Sequence, residues 1–360
     1  MSSGDRGLNV GVLTGGGDCP GLNAAIRAIV VKGERRYGDE VVGFLDGWRG
    51  LLEDSTMALA SATSSELVTV GGTILGTSRT NPFSVDRGMD RISQTVSSHS
   101  LDALIAIGGE DTLGVAARLW EEGGIPIVGV PKTIDNDLSG TEMTFGFDTA
   151  VQIATEAIDR LRTTAESHHR VIVCEVMGRN AGWIATYAGI AGGAAEILVP
   201  EEPFEIDEVC DRLRKRHNGG KFSSVVVIAE GASARSDSPG LALGGSQGGT
   251  PAGGMDEFGH IRLGGIGSLL AEEIERRTGF ESRVTILGHI QRGGTPTAYD
   301  RVLATRYGVA AIDSVHTGAF GTMVALQAGK IVRVSLAEAS GNAKTVDPEL
   351  LHDVAEVFLG

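Results

Sequence analysis

The chain has 360 residues, of which 41% are hydrophobic, and a formal net charge of −15. This length suits two domains, and the apolar content excludes global disorder. The negative charge argues against nucleic acid and anionic membranes as partners. The three cysteines, Cys19, Cys174 and Cys210, lack metal-ligand spacing, and their odd number disfavours a disulfide framework. No apolar signal segment opens the chain, so the sequence predicts a cytoplasmic protein.

Short apolar runs alternate with segments of helical periodicity along the chain. The runs predict β-strands at residues 10–13, 41–45, 103–107, 125–130, 171–176, 196–199 and 225–229, and the periodic segments predict helices at 22–37, 151–161 and 298–314. This alternation indicates parallel βαβ units. Both halves repeat a strand, a glycine turn and a helix. The predicted fold is therefore α/β, with two doubly wound (Rossmann-like) parallel-sheet domains facing a shared active-site cleft.

Two short segments carry the residues with the clearest chemistry. Residues 108–112 read Gly-Gly-Glu-Asp-Thr and follow the strand at 103–107, and residues 131–137 read Pro-Lys-Thr-Ile-Asp-Asn-Asp and follow the strand at 125–130. Together they bring four carboxylates and a lysine to adjacent strand ends. Phosphoryl transfer needs carboxylates for a metal, a base for the attacking hydroxyl and a cation for phosphate oxygens.

With Gly-Arg at 178–179 and Gly-His-Ile-Gln-Arg-Gly-Gly at 288–294, these segments resemble the phosphofructokinase family over about residues 10–321. The resemblance implies phosphorylation of the 1-hydroxyl of fructose 6-phosphate to fructose 1,6-bisphosphate, a reversible step of glycolysis and gluconeogenesis. A kinase of the NAD or lipid type would share only the glycine-acid turn. A catalytically silent sugar-phosphate sensor would lack a base or a metal ligand, and this chain keeps candidates for both.

The resemblance also implies how the chain divides. A domain binding the phosphoryl donor would comprise 1–146 plus 291–341, and a domain binding fructose 6-phosphate would comprise 147–290 plus 342–360. Composition predicts a mobile Gly/Ser-rich surface loop at about 231–265, either a lid or a passive insertion.

For the chemistry, the resemblance assigns a role to each of five residues. Asp135 would be the base that accepts the proton of the sugar hydroxyl. Thr133 would hydrogen-bond the transferring phosphoryl group or the fructose 1-oxygen, and Arg179 would neutralise charge that develops on that group. Glu110 and Asp137 would bind Mg²⁺, whose preferred ligands are hard carboxylate oxygens.

The resemblance names residues for both substrates as well. The residues implied for the sugar phosphate, besides Thr133, are Arg170, Met177, Gly178, Arg179, Glu230, Arg283, His289 and Arg292. The residues implied for the donor are Gly15, Gly16, Gly17, Arg79, Asp111 and Lys132. Family members present Arg170 and Arg283 across a subunit interface, which implies a homodimer or homotetramer.

Asp111 and Lys132 bear on the identity of the donor. ATP-dependent members usually have glycine at the position of Asp111, where a carboxylate would repel an α-phosphate by about 4 kcal/mol at 4 Å and an effective dielectric constant of 20. Pyrophosphate ends at the β-position and avoids this clash, and Lys132 offers it a charge. The pair resembles the pyrophosphate-dependent members. ATP stays the alternative donor. Asp111 could also merely cap a helix that begins at Thr112, which is compatible with its role in donor choice.

Basic residues also bear on regulation. Arg27, Arg162 and Lys221 match the effector pocket of allosteric bacterial relatives, but uncharged residues fall where further cations would lie. These uncharged residues are Val31, Ser61 and Gly219. We therefore expect weak or no regulation by nucleoside diphosphate or phosphoenolpyruvate.

Overall fold

The computed structural model describes residues 7–64, 66–235, 263–341, 343–355 and 357. These residues divide into two compact units, and the chain crosses between them after Thr149, Gln291 and Ala343. The first unit comprises the described residues as far as Thr149 and those from Arg292 to Ala343. The second unit comprises the described remainder. Most of the glycine-rich segment predicted as a loop at 231–265 lies outside the described residues.

Strands and helices alternate through most of the chain. The strands are β1 Asn9–Thr14, β2 Glu40–Phe44, β3 Thr56–Leu59, β4 Ala103–Gly108, β5 Ile127–Thr133, β6 Phe145–Gly146, β7 Val171–Val176, β8 Glu196–Leu198, β9 Ser224–Ala229, β10 Ser282–Ile286, β11 Thr322–Gln327 and β12 Lys330–Ser335. The α-helices are α1 Leu22–Lys32, α2 Trp48–Glu53, α3 Ser61–Ser64, α4 Gly88–Ser98, α5 Glu110–Gly123, α6 Phe147–His168, α7 Trp183–Gly192, α8 Ile206–Asn218, α9 Ile266–Thr278, α10 Ala298–His316 and α11 Leu336–Ala339. Within the described ranges, no helix is long and apolar enough to cross a membrane.

The sheet of the first unit has the order β12-β11-β5-β4-β1-β2-β3, with β6 paired to β5. Its inner strands are parallel, but β3 and β12 run antiparallel to their neighbours. The predicted α/β fold with doubly wound, mainly parallel sheets is confirmed, and the sheet of this unit adds an antiparallel strand at each edge. At one edge the reason is a tight hairpin: Ala328 and Gly329 both have positive φ, at 48° and 74°, as a two-residue turn between antiparallel strands requires.

The order of these strands places several predicted site residues along one edge of the sheet. The chain leaves β1 for β2 on one side, whereas β4 and β5 lie on the other, so the strand order reverses between β1 and β4. Ligands of open α/β sheets bind outside the carboxyl ends of the strands at such a reversal. The carboxyl ends of β1, β4 and β5 lead directly into residues 15–17, 109–111 and 134–137.

In the second unit, the four strands are all parallel, in the order β10-β7-β9-β8. Every residue of β7 and β9 is buried, which explains why both segments are nearly continuous apolar runs. The carboxyl ends of β7, β9 and β10 lead into residues 177–179, 230 and 287–289. A single edge of this sheet therefore carries most of the residues predicted to bind the sugar phosphate.

Two helices differ in length from their sequence predictions. The α-helix predicted at 22–37 ends at Lys32, and residues Gly33–Tyr37 continue as a π-helical turn. The helix predicted at 151–161 extends over Phe147–His168. Its ends are rich in charged and hydroxyl side chains, so the apolar spacing that revealed its middle is absent there.

Candidate active site

The glycine turn after β1 is held by backbone hydrogen bonds from two sides. The Gly15 N–H donates to the Ile107 carbonyl oxygen at 3.0 Å, and the Gly16 N–H donates to the Ser78 carbonyl oxygen at 3.1 Å. Gly16 has φ +78°, which favours glycine, and a Cβ at Gly15 would lie 2.5 Å from the Thr112 hydroxyl oxygen. The turn therefore needs glycine both for its conformation and for its packing.

Lys132 brings a buried positive charge to this turn. Its side chain lies near the end of β5 and is 3% exposed, and its Nζ donates to the Gly17 carbonyl oxygen at 2.5 Å. Burial lowers the pKa of Lys132, because the ammonium has lost most of its hydration. A desolvated ammonium beside a glycine turn attracts an anion more strongly than a hydrated one does.

Arg292 lies at the same turn. A Cβ added to Gly17 would be 2.6 Å from an Arg292 nitrogen, and the guanidinium also donates to the Asp18 carbonyl oxygen at 3.4 Å. Sequence analysis grouped Arg292 with the residues for the sugar 6-phosphate. In the structure, Arg292 belongs to the first unit and meets Lys132 at Gly17. Its role for either substrate stays a prediction.

The segment after β5 is shaped by a buried asparagine. Asn136 has φ 52° and is 1% exposed, and its side-chain oxygen accepts the Thr144 N–H at 3.0 Å. The Asp135 N–H donates to the Thr133 hydroxyl oxygen at 3.0 Å, and the Thr144 hydroxyl donates to the Thr133 carbonyl oxygen at 2.7 Å. Sequence reasoning missed Asn136 and Thr144. The residue type of Asn136 could have predicted a tight turn at this position, since asparagine tolerates the left-handed conformation that such turns need.

Two acidic residues open helix α5 at the end of β4. Glu110 and Asp111 lie in its first turn, where negative charge is favoured by the partial positive charge of the helix N-terminus. The cap residue is Gly109, so the alternative in which Asp111 merely caps a helix from Thr112 is wrong. Residues Gly108 and Pro131 are paired in the sheet, and this register brings the start of α5 beside Lys132.

The donor set of the predicted metal site can be compared with the needs of Mg²⁺. In the part of the chain that the structure describes, no three His, Cys, Asp or Glu side chains are grouped to hold a metal by themselves. Mg²⁺ is commonly bound by one or two carboxylates together with waters and substrate phosphates. Glu110 is exposed and Asp137 is half-buried, each beyond the end of a neighbouring strand. These two carboxylates fit a Mg²⁺ ion that arrives with a phosphate donor.

In the second unit, the segment after β7 is fixed by two contacts. The Met177 N–H donates to the Gln291 side-chain oxygen at 3.3 Å, and Gln291 is fully buried. Gly178 has φ +139°, and its carbonyl oxygen accepts the Gly231 N–H at 3.1 Å. The Glu230 N–H donates to the last residue of β7 at 2.8 Å. The segments containing Gly178 and Glu230 are therefore adjacent. Gln291 was missed, although it lies within the 288–294 motif.

Arg170 and Arg283 meet on one carboxylate. Glu281 accepts from Arg170 at 2.8 Å and from Arg283 at 2.5 Å. The Arg170 guanidinium is the main cause that lowers the pKa of Glu281. Sequence reasoning missed Glu281, because nothing in its spacing marks it as the partner of both arginines. His289 follows β10 and is exposed.

The structure therefore brings together two groups of predicted residues, each within one unit. The first group comprises Gly15, Gly16, Gly17, Lys132 and Arg292, and the second comprises Met177, Gly178, Arg179 and Glu230. Arg170 and Arg283, joined through Glu281, lie apart from the second group, at the opposite end of β7. Arg79 is exposed and follows Ser78, whose carbonyl holds Gly16. The three cysteines are free and buried.

Comparison with known proteins identifies the family of this chain. A family model described as "Phosphofructokinase" matches residues 9–315. A pyrophosphate--fructose 6-phosphate 1-phosphotransferase from Amycolatopsis methanolica is 57% identical over 353 residues, which cover 98% of this chain and 100% of that protein. An ATP-dependent 6-phosphofructokinase from Mycobacterium bovis is 52% identical over 354 residues, with the same coverage of 98% and 100%.

A solved structure extends the comparison to the fold. The phosphofructokinase from Saccharomyces cerevisiae is 31% identical and superimposes with a TM-score of 0.77. The match covers 92% of this chain and 45% of the yeast chain, so this chain spans less than half the length of that protein. The family match, the identities and the two sets of clustered residues lead to one conclusion: this chain belongs to the phosphofructokinase family.

Proposed function

We propose that this enzyme transfers a phosphoryl group from pyrophosphate to the 1-hydroxyl of fructose 6-phosphate, giving fructose 1,6-bisphosphate in a reversible reaction. The observation that carries the choice of donor is the presence of both Asp111 and Lys132 at the neighbouring ends of β4 and β5. Relatives named for the pyrophosphate reaction are 57% identical to the chain, which supports the same donor.

The donor argument is electrostatic. Lys132 puts a buried cation at the glycine turn, where it can neutralise the phosphates of a small anion. Asp111 adds a carboxylate in the first turn of α5, where a nucleotide would have to place its α-phosphate. A repulsion of about 4 kcal/mol at an effective dielectric constant of 20 is enough to reject such a ligand. Pyrophosphate lacks both the α-phosphate and the nucleoside.

The reaction itself needs a base and charge neutralisation. Asp135 accepts the proton of the sugar hydroxyl as the bond to phosphorus forms. Thr133 holds Asp135 through the hydrogen bond from the Asp135 N–H to the Thr133 hydroxyl. Arg179 balances charge on the transferred group. Glu110 and Asp137 would hold Mg²⁺, which supplies further neutralisation of the phosphate oxygens when bound.

The resemblance to the family assigns Thr133, Arg179 and Arg292 to the sugar phosphate, together with the residues that follow. Arg170, Arg283 and His289 supply cationic or hydrogen-bonding groups for the 6-phosphate, and Met177, Gly178 and Glu230 contact the sugar. Because the family presents two of these arginines across a subunit interface, we further propose a homodimer or homotetramer. The free, buried cysteines suit the reducing cytoplasm.

ATP is the second candidate donor, since a relative named as an ATP-dependent 6-phosphofructokinase is 52% identical over nearly the whole chain. Half of the cations expected in an effector pocket are missing, so we propose a non-allosteric enzyme for either donor.

A direct assay tests the proposal. Purified protein is given fructose 6-phosphate and Mg²⁺, with pyrophosphate or ATP in parallel, and the Asp135→Ser variant serves as a control for contaminating kinases. We expect turnover with pyrophosphate that is lost in the variant. Turnover with ATP alone would be consistent with the phosphofructokinase family but would contradict pyrophosphate as the donor. Inactivity with both donors would favour a sugar-phosphate sensor.

A further inference from the structure

We propose that Thr77 is a positioning residue for the phosphoryl donor, acting through Gly16. The Thr77 hydroxyl donates to the Gly16 carbonyl oxygen at 2.6 Å, although 61 positions separate the two residues. This inference rests on the proposed function, because it assumes that the glycine turn contacts the donor phosphates.

Both backbone polar groups of Gly16 are bonded to the same short segment. Its N–H donates to Ser78 at 3.1 Å, and its carbonyl oxygen accepts from Thr77. The next carbonyl, that of Gly17, accepts from Lys132. Two consecutive carbonyl oxygens of the turn are therefore each neutralised by a hydrogen-bond donor. A phosphate approaching the turn meets less negative charge than two bare carbonyl oxygens would present.

The segment that supplies Thr77, which we call the 70–79 loop, is itself rigidly attached. The Asn23 side chain in α1 is 1% exposed and makes three hydrogen bonds to this loop. Its amide nitrogen donates to the carbonyl oxygens of Val70 and Gly71 at 3.1 and 3.2 Å, and its oxygen accepts the Ile74 N–H at 2.9 Å. The loop is thus fixed to the helix that follows the glycine turn.

A second set of contacts attaches the far end of the 70–79 loop. The Thr14 hydroxyl, at the end of β1, donates to the Gly76 carbonyl oxygen at 2.7 Å. The Ser78 hydroxyl donates to the Asp46 carbonyl oxygen at 2.6 Å, and the Asp46 N–H donates to the Leu75 carbonyl oxygen at 2.7 Å. Because these hydrogen bonds hold the 70–79 loop in place, its bonds to Gly16 restrain the backbone of the glycine turn.

These contacts make a specific kinetic prediction. Replacing Thr77 by valine keeps the shape of the side chain but removes the donor to Gly16. The Gly16 N–H, in the preceding peptide group, would stay bonded to Ser78, but the peptide group that joins Gly16 to Gly17 would lose its hydrogen bond and could turn its carbonyl towards the donor phosphates. The KM for the phosphoryl donor should therefore rise, whereas the KM for fructose 6-phosphate should stay the same.

The experiment compares Thr77→Val, Thr77→Ser and wild-type enzyme, with each substrate varied while the other is saturating. We expect Thr77→Val to raise the KM for pyrophosphate about tenfold, as the loss of one hydrogen bond predicts, and to leave the KM for fructose 6-phosphate within about twofold. Thr77→Ser keeps the hydroxyl and should behave as wild type. Thr77→Ala repeats the comparison if the valine variant does not fold.

Thr322→Val provides a matched control, because the Thr322 hydroxyl donates to the Ala319 carbonyl oxygen at 2.7 Å on a different part of the sheet. Its KM values should both stay unchanged. The proposal is overturned if Thr77→Val has the wild-type KM for the donor, if both KM values rise together, or if the serine variant is equally impaired. A failure of the proposed function would instead appear in the wild-type enzyme, as a lack of turnover with pyrophosphate.

Discussion

The side chain of Lys132 reaches Gly17 across a neighbouring strand. Its Nζ lies 2.5 Å from the Gly17 carbonyl oxygen, and 115 positions separate the two residues in the chain. Lys132 belongs to β5 and Gly17 follows β1, and β4 lies between these strands in the sheet. The hydrogen bond therefore spans the carboxyl end of β4, beside the two acidic residues that open α5. Lys132 therefore has a structural role besides its charge, because its hydrogen bond joins the end of β5 to the glycine turn after β1.

Replacing Lys132 should lower catalytic activity much more than it changes thermal stability. Lys132→Met removes the charge at the glycine turn, and we expect kcat/KM for pyrophosphate to fall by at least about a hundredfold. Burial lowers the pKa of Lys132, so the folded protein disfavours the charged form. Removing the desolvated charge stabilises the fold, whereas removing the hydrogen bond to Gly17 destabilises it, so the melting temperature at pH 7 should change little. Lys32→Met, which removes a partly exposed ion pair with Asp313, is the control for kinetics. Equal losses of activity in both variants would contradict the role of Lys132.

Changing Asp111 should change the choice of donor. Asp111→Gly removes both the bulk and the charge that oppose an α-phosphate, so we expect turnover with ATP, even if slow. Asp111→Asn keeps the bulk without the charge and should give an intermediate rate with ATP if repulsion is part of the barrier. The measurement is kcat/KM for ATP and for pyrophosphate in all three proteins. A complete absence of ATP turnover in Asp111→Gly would refute this explanation of donor choice.

Asp135 should matter for the rate more than for binding. Asp135→Ser removes the proposed base, and we expect kcat to fall by at least about two orders of magnitude with little change in KM. The N–H of residue 135 can still donate to Thr133, so the segment should keep its shape. Steady-state kinetics with both substrates provides the test. A variant that keeps a tenth of the wild-type kcat would exclude Asp135 as the base.

Asp300 should make stability depend on pH. Its side chain is fully buried and accepts the Thr149 N–H at 2.8 Å, and burial raises its pKa to about 6. Between about pH 4 and pH 6 the folded protein therefore binds more protons at this group than the unfolded chain does. Its contribution to the free energy of unfolding falls as the pH rises through this range, by about 3 kcal/mol at neutral pH.

The Asp300→Asn variant isolates this contribution, because an amide oxygen can accept the same hydrogen bonds without titrating. Urea unfolding of both proteins at several pH values gives the comparison. The free energy of unfolding of the variant, relative to wild type, should increase from pH 4 to pH 7. Parallel curves for the two proteins would show that Asp300 does not titrate as expected.

The sequence predicts the buried strands better than the exposed ones. The apolar runs at 103–107 and 171–176 coincide with strands whose residues are all buried. The sequence did not predict the short strand β6 or the buried strand β11, but most of the strands that it missed are exposed. Besides the edge strand β3, it missed β10 and β12. Both lie at sheet edges, and most of their side chains are exposed or half-buried. An edge strand has a partner on one side only and needs no continuous apolar run, so periodicity reveals it poorly.

The same limit applies to the candidate site. Residues directly after a buried strand, such as Glu110 and Asp135, can be located from the sequence because strand ends are visible in it. Residues that act through hydrogen bonds across long sequence distances cannot. Thr77 and Gln291 each bond to a backbone atom far away in the chain, at Gly16 and at Met177. Such contacts depend on the folded path and leave no periodic pattern.

The position of β11 in the sheet has a consequence for how the protein is synthesised. This strand pairs with β5 and β12 and completes a sheet whose other strands, β1 to β6, leave the ribosome much earlier. Until residues 322–335 emerge, β5 lacks its partner at Val128 and Gly129, although β6 pairs with it at Lys132 and Thr133. The sheet of the second unit, at residues 171–286, can form in the meantime. Nascent or truncated chains that lack residues 322–335 should therefore aggregate through β5.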